Sequence, residues 1–215
     1  MNDAHIAAII TAGAGISGVI LGNLFVAIKE SLSDKRKDER DRTYLAVLVV
    51  SHLERFVNGC WQVARDDGTS EGRPAGGGGE YHQPTVTAPE FLPLDIDVEW
   101  KVLPKDLMYD ILQIPDKREG IQNRLSGLWE YDDPPEYSDY FLTRQREYAQ
   151  LGLDVSDIAR RLRVHADMPR EAFSHGGWQR EFALENVIEQ VDAQRREIAK
   201  RSAEMLSAAG AVSQQ

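Results

Sequence analysis

From Ile6 to Ile28 the chain runs for 23 residues without an Asp, Glu, Lys or Arg, and only Thr11, Ser17 and Asn23 carry clearly polar side chains. As a helix this stretch spans about 34 Å, against about 30 Å of bilayer hydrocarbon. Eleven of its residues are Ile, Val, Leu or Phe. Their insertion is favourable by roughly 3 to 7 kcal/mol before the glycines and Asn23 subtract from it. The spacing predicts an N-terminal tail and transmembrane helix over residues 1–28. A cleaved signal peptide would place Lys or Arg ahead of a shorter apolar run, and "MNDAH" has neither.

The basic residues all follow the span. Lys29, Lys35, Arg36, Lys37, Arg40 and Arg42 fall in a charged juxtamembrane segment, residues 29–42, and the N-terminal tail has no counterpart. The positive-inside tendency then puts the N-terminus outside and the C-terminal bulk in the cytoplasm of a single-pass protein, at the inner membrane in a bacterium. Within the span, Ala14, Gly18 and Gly22 recur every four residues, the small-residue spacing that lets two spanning helices approach closely. Asn23 stands where it can hydrogen-bond across such a pair. The membrane, a second copy meeting this one through the span, and a protein partner of unknown identity are the expected associations.

The same glycines match a dinucleotide-binding pattern, since Gly13-Ala14-Gly15-Ile16-Ser17-Gly18 reads G-x-G-x-x-G. That loop works only between a buried strand and a helix whose N-terminal N–H groups meet the pyrophosphate, with an acidic residue ending a second strand about 20 residues on. Here the following residues read "KESLSDKRKDERDR", which no strand can contain. A dinucleotide-dependent enzyme is therefore the weakest of the readings, and no cofactor is expected.

Charge narrows the partners further. Residues 67–140 hold 16 acids and 6 bases, whereas residues 1–66 balance at 8 each and residues 141–215 at 11 each. An acidic middle repels phosphates, which disfavours a broad nucleic-acid surface. The same acids serve either to recognise a partner or to keep an exposed segment solvated. The single cysteine, Cys60, excludes an intramolecular disulfide, and its mostly apolar neighbours point to packing rather than reactivity.

Periodicity predicts a mostly α fold: one transmembrane helix followed by a helical cytoplasmic domain over residues 43–215, with a flexible surface loop at 66–90. Thr43 to Ala64 carries a wide apolar stripe at helical spacing, and its polar residues argue against a second span. Leu94, Ile96, Val98, Trp100 and Val102 alternate with charged residues, which predicts a short β element near 94–102, or a segment lying extended across the helices. Helices are expected from Pro104 to Gln113, Lys117 to Trp129, 137–150 and 154–165. Gly152 would separate the last two, with Asp154 as N-cap. A long helix follows over 178–206, where Leu184, Val191, Ile198 and Met205 recur every seven residues. The companion column reads Ile188, Arg195, Ser202, which favours packing on the same domain over a long coiled coil.

Residues 154–173 resemble a degenerate helix-turn-helix, through Ile158-Ala159-x-x-Leu162-x-Val164 with Arg160, Arg161 and Arg163 as phosphate contacts. Arg163 stands where such turns usually have Gly, and Pro169 interrupts the recognition helix. The histidines are scattered, no metal-ligand spacing occurs, and neither G-x-S-x-G nor C-x-x-C is present. No catalytic, cofactor or metal residue is assigned. The leading expectation is a membrane-anchored, non-catalytic adaptor, regulator or assembly subunit, with a membrane-tethered DNA-binding regulator as its alternative.

Overall fold

The structure, a computed structural model, describes residues 37–168 and 179–212 together with Val26 and Lys29, with side chains described as far as Ser207. It is mostly helical. Helix α1 covers 37–64, and after a small antiparallel ladder of β1 (Thr69–Ser70) and β2 (Arg73–Pro74) come α2 (Lys105–Leu112), α3 (Ile114–Tyr131), α4 (Ser138–His165) and α5 (Arg180–Val212).

The wide stripe read in the sequence makes α1 the central helix. Leu45, Val49, Leu53, Phe56, Val57, Cys60 and Val63 are all buried in one core that draws on α2, α3, α4 and α5 as well. Burying side chains of this size stabilises by about 1.5 to 3 kcal/mol each. Side-chain pairs give the directions. Glu54, Cys60 and Asp66 meet Arg163, Gly152 and Arg144 in turn, so α4 runs against α1. Arg180 reaches Glu54 while Arg195 reaches Thr143, so α5 runs with α1 and against α4.

Two expectations need correction. The alternating segment 94–102 is not a strand: it forms 3-10 turns at Pro93–Asp95 and Trp100–Val102. Its amides are satisfied locally, Val98 N to Ile96 O at 2.9 Å and Leu103 N to Trp100 O at 3.1 Å, and no ladder forms on it. The alternation still marks facing. Ile96 is buried and Val98, Trp100 and Val102 pack partly against the core, while Leu94 is 79% exposed. The segment thus lies across the helices.

Nor is there a break at Gly152. Helix α4 passes through it for 28 residues, and Asp154 lies in its interior rather than at an N-cap. A Cβ on Gly152 would stand 3.0 Å from Leu184 Cδ1 and 3.2 Å from Cys60 Cβ. The missing side chain lets α1 and α5 close on α4, and that packing outweighs the roughly 1 kcal/mol a helical glycine costs.

Of the predicted span, all but Val26 lies outside the described residues, as do Ala14, Gly18, Gly22, Asn23 and the G-x-G-x-x-G stretch. Among the described residues no helix is long and apolar enough to cross a membrane.

Candidate binding cleft between two parallel helices

At the C-terminal end of α1 the chain turns on Asp66. Its carboxylate is enclosed: Oδ2 accepts hydrogen bonds from Thr85 N (2.9 Å), Val86 N (3.0 Å) and Arg144 Nη1 (2.7 Å), and Oδ1 accepts them from Gly68 N (3.1 Å) and Thr85 Oγ1 (2.8 Å). Burial works against the charge, but these donors and the Arg144 guanidinium prevail and hold the acid below its ordinary range. Gly68 is required here. Its φ is +78°, and a Cβ would strike the Phe141 ring at 2.3 Å. This knot fixes both ends of segment 66–86, which the sequence offered only as a glycine-rich surface loop.

Beside the knot, α1, α4 and α5 border an open cleft of about 410 Å³, with Arg65, Asp67, Gln190 and Gln194 solvent-exposed. Trp61 and Arg65 form one wall, with the Arg65 guanidinium 4.7 Å from the Trp61 ring centroid. Asp67 closes one end, and its Oδ1 accepts from Thr69 N and Oγ1. The opposite wall is α5, which presents Asn186, Gln190 and Gln194. These fall four residues apart, on one face of the helix. Alongside them Ala183, Val187 and Val191 make an apolar floor. Among the described residues the Asn186, Gln190 and Gln194 amides have no hydrogen-bond partner.

The walls are fixed to one another. Arg146 Nε donates to Asp192 Oδ1 at 2.8 Å and Arg195 Nη2 to Thr143 Oγ1 at 2.6 Å, which ties α5 to α4. At the other end Arg180 bonds Glu54 and Asn58 of α1, with Leu184 seated at Gly152. Past Val191 the heptad column leaves the core: Ile198 is 44% and Met205 66% exposed.

Two other hollows are larger. One of about 470 Å³ runs along Phe56, Phe91 and Leu92, and one of about 620 Å³ sets Arg42 and Lys101 against Asp38 and Glu39 beside His165. Among the described residues no group of three or more His, Cys, Asp or Glu is arranged to hold a metal.

The arginines singled out for DNA are on α4 but do not share a free face. Arg160 pairs with Asp157, Arg161 Nη1 lies 2.6 Å from Asp110 Oδ2, and Arg163 Nη1 lies 2.8 Å from Glu54 Oε1. The turn expected after Leu162 is absent, because α4 stays helical to His165. Residues 169–173 of the motif lie outside the described residues. The cleft went unread in the sequence. The four-residue spacing of Asn186, Gln190 and Gln194 was visible there, but nothing local says that Trp61 and Arg65 face them.

Comparison with known protein families, with characterised proteins and with solved structures finds no match to this chain. The site's own geometry therefore carries the functional argument.

Proposed function

We propose that this chain is a single-span membrane-anchored protein whose helical domain lies in the cytoplasm and acts by binding, as an adaptor, regulator or assembly subunit, through the α1–α5 cleft. The observation that carries the binding role is the row of three amides, Asn186, Gln190 and Gln194, with no hydrogen-bond partner among the described residues, above an apolar floor and between walls held by ion pairs. Polar groups so placed are poised for an incoming ligand's donors and acceptors. Anchoring rests on the charge-free run of 23 residues and the one-sided basic segment. The buried face of α1 begins at Leu45, past that segment.

Site-specific photo-cross-linking tests the binding role. A photoreactive residue in place of Gln190 should give discrete adducts in cells, while one in place of the exposed Tyr109 should not. Equal labelling at both positions, or none at either, would reject the cleft as the binding surface.

A further inference from the structure

We infer that the junction between the start of α1 and the last turn of α4 is an acid-sensitive latch, closed while the His165 ring is neutral and released when the ring takes up a proton. Because α4 runs against α1, the end of one helix meets the start of the other. Asp38, Glu39 and Arg42 of α1, Lys101 and Val102 of the second 3-10 turn and His165 of α4 line one hollow there, of about 620 Å³. Leu45 and Ala46 on α1, and Leu162 and Ala166 on either side of His165 in the chain, are buried in the common core. The hollow therefore borders packed helices. Asp38, Glu39 and Arg42 also belong to the charged segment 29–42, so a proton taken up at His165 is read where that segment joins the domain.

Two nitrogens carry the inference. His165 Nε2 and Arg42 Nε are both enclosed, and neither has a hydrogen-bond partner among the described residues. A neutral imidazole tolerates this, since it can leave Nε2 as a lone pair, whereas an imidazolium carries N–H on both nitrogens. Protonation then sets a charged donor at an enclosed position with no acceptor, in the same hollow as the Arg42 guanidinium. The opposing charges are few. Asp167, just past α4, is 92% exposed and lies 4.0 Å from Arg42 Nη2. Asp38 and Glu39 line the hollow but make no ion pair with the ring among the described residues. Lys101 is a further cation, paired with Glu99 at 3.3 Å, and Arg163 in the same last turn of α4 is engaged by Glu54. The C-terminal end of the α4 dipole favours a cation, as does Asp167. Against them stand the enclosure of the ring first and Arg42 second, and the balance holds the ring below the ordinary histidine range.

With the folded value depressed, the unfolded chain binds more protons between that value and the ordinary value of about 6.5. The stabilisation is complete above about pH 6.5 and is lost as the pH falls from there through the folded value.

Hydrogen exchange of the full chain in detergent, at about pH 7.5 and about pH 5 and corrected for the intrinsic pH dependence of exchange, tests the latch. Peptides covering 38–46 and 159–166 should lose protection by at least about three-fold at the lower pH, while those covering Ile121 to Leu125 in α3 hold theirs. In His165→Gln, which cannot take the proton, protection of the two segments should be the same at both values. A titration of the wild-type histidine rings by NMR is read beside it: the His165 ring should titrate below about 6.5, with the loss of protection following its protonation. The inference is overturned if the two segments keep their protection at about pH 5, if His165→Gln loses it as wild type does, or if the His165 ring titrates at or above about 6.5.

Discussion

Asp66 and Arg144 stand 78 positions apart in the chain and meet at 2.7 Å with both side chains almost wholly buried, 1% and 3% exposed. Arg144 also donates to the Val86 carbonyl, so the pair joins α1, α4 and the returning end of the glycine-rich segment. Removing either partner leaves the other charged and enclosed. Asp66→Ala and Arg144→Met should each cost about 3 to 5 kcal/mol, while the double variant costs less than the sum. Urea denaturation of the four proteins measures this, and strict additivity would show that the two groups act independently.

The same carboxylate gives stability a pH dependence. Its folded pKa is depressed, so between the folded value and the unfolded value of about 3.9 the unfolded chain binds more protons. The contribution is fully present above about pH 4 and is lost as pH falls through the folded pKa. Asp66→Asn should therefore flatten the loss of stability below pH 4 relative to wild type, as followed by thermal denaturation across an acid series. An unchanged acid slope would mean that Asp66 is not the group responsible.

Gly152 offers a test of the close approach of α1 and α5 to α4. Valine there must displace Leu184 or Cys60, both fully buried, and should destabilise by about 1 to 3 kcal/mol despite removing a helical glycine. A stabilised Gly152→Val protein would show that the seam has room to spare.

Cys60 is enclosed, and burial pushes its thiol well above the ordinary range, with Arg118 and Arg180 opposing the shift too weakly to reverse it. The thiolate is the reactive form. Alkylation by iodoacetamide at pH 8 should accordingly be at least about 100-fold slower in the native protein than in urea, with a rate that tracks unfolding. Fast labelling under native conditions would place the thiol in contact with solvent.

Fractionation and self-association address the membrane anchor. The full chain should sediment with membranes and require detergent for release, whereas residues 30–215 should not; identical, soluble behaviour of the two would remove the anchor. Replacing Gly18 and Gly22 by Leu raises apolarity, so insertion should persist while any dimer made through the Ala14, Gly18, Gly22 face is lost in a membrane association assay. Unchanged association would place the contact elsewhere.

The sequence by itself determined what depends on local periodicity and on covalent order. Apolar residues at helical spacing marked α1 and most of α5, because a helix must bury one stripe whatever it packs against, and Pro104 marked the start of α2. The alternation over 94–102 reported which side chains face inward from Ile96 onward. Whether that segment became a strand depended on a neighbour with free N–H and C=O groups, and no local pattern carries that information. Gly152 and Asp154 likewise read as a helix end on their own, and only the arrival of Leu184 and Cys60 at that glycine makes an unbroken α4 the better solution. The cleft belongs wholly to the tertiary structure: Trp61 and Arg65 meet Asn186, Gln190 and Gln194 because the Asp66–Arg144 and Arg146–Asp192 pairs fix α1 and α5 on the same helix. Contacts between residues so distant in sequence are decided by packing, which sums over the whole core.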